Sequence, residues 1–257
     1  MSIRNMRILS IDPANKSLAI SIIDFNFNWK IDLDRIKTEF NQQYTDSEGY
    51  GVEKKIEILL KRARDVSAVM DNLFTLKYIN VFDLLPDQKV NNTSTEIRLG
   101  RLKGVIEYIK KINGTLIPPK PIEQVLVEKQ MSQKNMEVSS ALIYAFTEPD
   151  FGFVGKSTHF KHAKDIDTLP TTFVNMVGAS LKSKVYFGSA GHIQNFRKKY
   201  AGNYTANKAH SKYNFLEWVK SKNNTELIEG IPKKNIDDIA DSFLMAYAWC
   251  IKKYEVT

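Results

Sequence analysis

Residues 124–128 read Gln124-Val125-Leu126-Val127-Glu128, an unbroken apolar run closed by an acid. Runs of this length and β-branched content form strands buried on both faces of a parallel sheet. Residues 132–146 follow with helical spacing, so the two segments make half of a βαβ unit. Upstream, 7–24 predicts two apolar strands joined by Pro13-Ala14-Asn15-Lys16, a loop favouring tight reversal, and 29–33 a third strand completing a meander. The spacing of Val52, Ile56, Leu59, Leu60, Ala63, Val66, Val69 and Leu73 predicts an amphipathic helix over 49–74. A second helix covers 95–112 and must end before Pro118, Pro119 and Pro121, which cannot continue it. Further on, 148–172 reads as an inserted loop, 184–187 as a strand, 207–220 as a helix and 236–252 as a strongly apolar last helix. The fold class is α/β.

A chain of 257 residues with 43% hydrophobic and 26% charged residues can bury a self-standing core, and its composition excludes disorder and collagen-like structure. Its formal charge of +8 favours a polyanionic partner, because lysines and arginines near phosphates release condensed counterions. Cys250 is the single cysteine, so neither an internal disulfide nor a thiolate zinc cluster can form, and a reducing intracellular compartment fits. No apolar stretch approaches the roughly 18 residues of a membrane span, and the first residues run straight into a strand. The expectation is a soluble protein.

Four acids stand out by position. Asp12 and Glu128 each close an apolar strand, and the carboxyl ends of strands border the ligand crevice of open α/β sheets. Asp238 and Asp241 lie three apart on the last helix, which puts them on one face with Cβ atoms roughly 5–6 Å apart. Asp237 is accounted for by the positive end of the helix dipole, with Asn235 as cap, and Asp238 is served almost as well by that account. Asp241 is not: it lies beyond the first turn, among Ile236, Ile239, Ala240, Phe243 and Leu244, where an acid needs a compensating cation or hydrogen bonds. Oxygen-only ligands suit Mg²⁺ or Mn²⁺, and two such ions can hold the attacking water and the leaving oxygen of a phosphodiester.

Other signals are weaker. His159 and His162, with Asp165 and Asp167, imitate a metal site but lie in an unpatterned loop, which favours ordinary surface residues. Phe151, Phe153, Tyr186, Phe187, Phe196, Tyr200 and Tyr204 could stack on unpaired bases, although aromatics of this kind are mostly core.

The stretches SIDPANKSLAISIID (10–24), VLVEKQMSQKN (125–135) and KKNIDDIADSFLMAYAW (233–249) resemble, in order and context, the three acidic motifs of the RuvC-like Holliday-junction resolvases, most closely the poxvirus and mitochondrial-type branch. The resemblance implies a ribonuclease H-like mixed sheet with flanking helices, a single domain over 1–257 with insertions at about 35–120 and 148–180, and a homodimer placing paired symmetric nicks across four-way DNA junctions. By motif, Asp12, Glu128, Asp238 and Asp241 become the ligands of two Mg²⁺ or Mn²⁺ ions. Lys208 occupies a region where these enzymes carry a basic residue near the scissile phosphate, and a surface lysine is the competing account. Lys16, Lys129, Lys134, Lys233 and Lys234 flank the motifs and could contact phosphates without reading sequence. Bacterial relatives place an aromatic wedge shortly after the middle acid; Gln130 and Met131 stand there in this chain, and Met131 reads as helix-entry packing.

Two other functions share these residues. One keeps the chemistry and changes the substrate to flaps, RNA–DNA hybrids or transposon ends; the other is a catalytically inactive junction-binding protein.

Overall fold

The computed structural model describes residues 5–14, 16–26, 74–85, 94–130, 133–147, 154–157, 171–185, 187 and 189–253, with scattered positions between 35 and 58. The chain divides into two compact units, one of residues 1–6, 24–75 and 256, the other of 7–23, 76–255 and 257. In the smaller unit the Phe25 and Phe74 rings pack with centroids 5.1 Å apart, and the described positions Arg35, Thr38, Glu39, Asn41, Gln42, Lys54 and Ile58 are helical.

Six strands form one mixed sheet. They are β1 (Asn5–Pro13), β2 (Ser17–Asn26), β3 (Phe74–Asp83), β4 (Gln124–Lys129), β5 (Val154–Ser157) and β6 (Thr171–Gly178), in the order β3-β2-β1-β4-β6-β5. The connection from β1 to β2 is three residues long and closes with Ala14 N–H donating to the Ser17 carbonyl at 2.8 Å, so the two strands must run antiparallel. β4 lies parallel to both β1 and β6, and β5 runs parallel to β6.

Side chains alternate across β1. Leu9 and Ile11 join a buried cluster with Leu18, Ile20 and Ile22 of β2 and Val125 and Val127 of β4. Helices α1 (Thr95–Thr115) and α2 (Gln133–Thr147) complete that cluster. Leu102, Ile106 and Ile109 of α1 and Val138, Leu142 and Phe146 of α2 recur at helical spacing, giving each helix one apolar stripe. Arg98 of α1 pairs with Glu137 of α2 at 3.0 Å. At the opposite strand end, the buried Arg7 guanidinium donates to Asn113 Oδ1 and to the Pro118 carbonyl, fastening the loop after α1 to the start of β1.

The other residues of β1 point the opposite way. Ser10 Oγ donates to the Ser242 carbonyl at 2.6 Å, which docks the last helix, α5 (Ile236–Lys253), on that face. Helix α3 (Ile193–Lys199) leads into α4 (Asn203–Ser221), and α4 packs on α5 through Phe215, Trp218 and Phe243, with ring centroids 4.5 to 5.4 Å apart. The sheet is thus covered by helices, as a mixed α/β fold requires. No described helix is long and apolar enough to cross a membrane.

Several expectations change. Residues 184–187 form no strand where described: Ala179–Lys184 is a 3₁₀ turn, and the strand lies earlier, as β6. The segment 148–172, read as loop, contains β5 and the start of β6. Within 35–120 the described residues include β3, which was not expected, and α1, where a helix over 95–112 was. The strand expected at 29–33 and most of the helix at 49–74 lie outside the described residues, as do Met131, Phe151, Phe153, His159, His162, Asp165, Asp167 and Tyr186.

Candidate active site

The β1–β4 register pairs Ile8 with Gln124, Ser10 with Leu126 and Ile11 with Val127; continued by one residue, it sets Asp12 beside Glu128. Strand neighbours lie roughly 4.8 Å apart, so two acids meet at the carboxyl ends of adjacent parallel strands, on the face that carries α5. Both are buried, at 9% and 5% exposure. Helix α5 supplies Asp238 and Asp241 one turn apart, and the Ser10–Ser242 hydrogen bond fixes its height over β1 two residues before Asp12. All four acids line one cavity of about 530 Å³, together with Gln130, Ser180, Lys182, Arg197, Tyr204, Lys208 and Ser211.

Two ammonium groups knit the acids together. Lys182 Nζ lies 3.0 Å from Glu128 Oε2 and 2.7 Å from Asp241 Oδ2. Lys208 Nζ lies 2.8 Å from Asp238 Oδ1 and 3.1 Å from the same Asp241 Oδ2. Gln130 Nε2 donates to Asp12 Oδ1 at 3.3 Å. Asp241 Oδ1 is buried and has no hydrogen-bond partner. Among the described residues, no three acidic, histidine or cysteine side chains form a ready-made metal cage.

The electrostatics follow from burial and these neighbours. Burial, and next the charge of Glu128, push the Asp12 carboxyl well above the ordinary carboxylate range. For Asp241 burial acts in the same direction, but the Lys182 and Lys208 charges outweigh it and hold the carboxyl below its ordinary value. Burial works against the charged form of both lysines, yet the surrounding carboxylates prevail and raise both above the usual lysine range.

The structure therefore brings Asp12, Glu128, Asp238, Asp241 and Lys208 together. Lys208 is a half-buried ion-pair partner rather than a solvated surface residue. Lys16, Lys129, Lys233 and Lys234 are exposed near the same strand ends and the start of α5, and Lys16 Nζ lies 3.9 Å from Asp83. Lys134 belongs to α2. Of the aromatics, Phe196 packs on Tyr200 and Tyr213, and Phe187 on Tyr247, whereas Tyr204 is 76% exposed at the cavity. Sequence reasoning missed Lys182, Arg197 and Ser211. Lys182 had no signal without β6, since only that strand shows where the following turn lies.

No family model and no curated protein matches the chain. Solved structures similar to it include Thermus thermophilus RuvC in complex with a Holliday junction substrate, at 14% identity and TM-score 0.44, the likeness covering 97% of this chain and 96% of that one. Another is the yeast mitochondrial Holliday junction resolvase Ydc2, at 13% identity and TM-score 0.45, over 98% of this chain and 81% of that one.

Proposed function

We propose that the chain is a divalent-metal-dependent endonuclease that resolves four-way DNA junctions. The observation that carries the reading is the convergence of two strand-end acids and a helix-borne pair on one cavity, with Asp241 Oδ1 buried and unsatisfied among them. Burying acids together is unfavourable unless cations compensate them, and an all-oxygen donor set of this kind fits Mg²⁺ or Mn²⁺. Asp12, Glu128, Asp238 and Asp241 would hold the metal. Bound there, it would supply the positive charge and the activated water for in-line hydrolysis of a phosphodiester.

The chain's own residues supply the rest. Lys208, already charged and held by Asp238 and Asp241, lies where its ammonium can offset negative charge developing on a phosphate. Gln130 orients the Asp12 carboxyl through its hydrogen bond. The exposed Lys16, Lys129, Lys233 and Lys234, with Arg197 at the cavity, can take the DNA backbone on either side of the acids and fix its position without reading bases. Such contacts select shape, which suits a branched substrate, and the three acidic motifs quoted above favour the four-way junction over other branched forms.

The test is magnesium-dependent nicking of a synthetic four-way junction, compared at one salt concentration with a linear duplex, a flap and an RNA–DNA hybrid. We expect the junction to be cut preferentially, and Asp12→Asn to bind it while losing cleavage by orders of magnitude. Preferential cleavage of the flap or hybrid would move the substrate assignment. Tight junction binding with no metal-dependent cleavage would leave a binding protein.

A further inference from the structure

Lys182 is a cavity residue that the acidic motifs do not explain. It projects from the 3₁₀ turn after β6 and reaches one acid of the sheet, Glu128, and one of the helix, Asp241. A divalent ion would have to join those same two elements. Lys208 differs, because both of its carboxylate partners belong to α5. The side chain of Lys182 is only 14% exposed, so its ammonium is committed to this bridge. Asp241 presents one oxygen to both ammoniums while its other oxygen has no partner, and the described acids form no ready-made cage. The carboxylates are thus closed by cations of the chain itself.

We propose that Lys182 is a displaceable counter-ion: it holds Glu128 and Asp241 together in the metal-free protein and gives up that place when a divalent cation loads. The inference rests on the reading of this cluster as a metal site. A divalent ion on the same carboxylates repels the ammonium, and the lysine stem, with four rotatable methylenes, can swing away without moving the backbone. The released ammonium stays at the mouth of the cavity, available to a phosphate of the bound DNA. Loading becomes an exchange of one cation for another, which keeps the free enzyme's metal affinity low and its acids together until substrate arrives.

Two measurements test this. In the full-length wild-type protein, acylation of lysines followed by peptide mass spectrometry should label Lys182 several-fold faster in saturating Mg²⁺ than in chelator. Calorimetric titration with Mn²⁺ should show Lys182→Met binding on the order of tenfold tighter than wild type, while Lys182→Arg, which keeps the charge, does not. Because Lys182→Met removes a buried bridge and could fail to fold, the labelling of the unaltered protein decides alone in that case. Labelling that is unchanged or slowed by the metal overturns the counter-ion role, as does a Lys182→Met protein that binds Mn²⁺ no more tightly. If wild type nicks junctions and binds Mn²⁺ but shows those results, only the counter-ion role falls. If wild type binds no divalent metal, the metal-site reading falls with it.

Discussion

Asp12 and Asp241 share a cavity, but their ionisation acts on the fold in opposite directions. Asp12 is raised above its ordinary 3.8 by burial and by Glu128, so the folded protein keeps a proton that the unfolded chain releases. Its contribution to stability is therefore lost as pH rises from that value through the folded pKa. Asp241 is lowered from 3.8: burial opposes its charge, but Lys182 and Lys208 prevail, so its stabilisation is present above that value and is lost as pH falls through the folded pKa. At pH 7 in chelator, Asp12→Asn should be more stable than the parent by about 1 kcal/mol, since it removes an acid whose ionisation is opposed by burial and by the Glu128 charge. Asp241→Asn should be less stable by about 2–3 kcal/mol, since it leaves two ammoniums poorly compensated. Urea unfolding of the three proteins checks both signs, and a destabilised Asp12→Asn would contradict the picture of crowded acids. Magnesium should then raise the melting temperature of wild type more than that of either variant.

Between β6 and α4 one buried side chain, Asn214 of α4, fastens the chain at several points. Asn214 Oδ1 accepts from Phe187 N–H at 2.7 Å, and its Nδ2 faces the Val185, Gly191 and His210 carbonyls at 3.1 to 3.3 Å. Gly191 lies so close that a Cβ there would stand 2.5 Å from Asn214 Oδ1. This clamp anchors the segment that follows the Lys182 turn, so its loss should reach the cavity. Asn214→Leu leaves several buried backbone groups unpaired and should cost about 3 kcal/mol or more, while Gly191→Ala should cost about 1–3 kcal/mol by forcing Asn214 aside. Denaturant unfolding gives the costs; a Gly191→Ala protein as stable as wild type would show that the approach is not tight. None of this was legible in the sequence, because the strand before it was not. Thr171–Gly178 mixes Thr and Asn with Phe173 and Met176, both substantially exposed, so its apolar pattern is too broken to read as a strand. β3 was hidden for a related reason: it lies at the sheet edge with only Phe74, Leu76 and Ile79 buried. β4 and α5, by contrast, are buried almost throughout, and burial is what writes an apolar run into sequence. The site was legible to the same extent: acids at the ends of buried strands and among apolar helix residues are conspicuous, whereas a lysine on a short turn is not.

At the scale of the whole molecule, a charge of +8 and lysines at the strand ends predict that the DNA affinity expected from the proposed function falls steeply with salt. Replacing Lys233 and Lys234 with Ala should reduce the slope of log affinity against log salt by about 1–2, measured on a junction in chelator; an unchanged slope would place the DNA elsewhere. The number of active copies poses a separate question. Each chain carries a single cluster of these acids among its described residues, and under the proposed function such a cluster would cut one strand at a time. Resolving a junction takes two cuts on opposite strands, and the junction is itself close to two-fold symmetric. Two copies related by a two-fold axis would present two cavities at matching positions, so that both cuts fall within one encounter. A supercoiled plasmid with an extruded cruciform separates the cases, because a single nick releases the supercoiling and reabsorbs the cruciform before a second chain can arrive. A dimer should therefore convert the plasmid directly to linear product. Pre-mixing wild type with excess Asp12→Asn, the variant expected to fold most stably, should form mixed pairs with one working cavity and turn the product into nicked circles. Nicked circles accumulating first with wild type alone would mean that the chain acts singly.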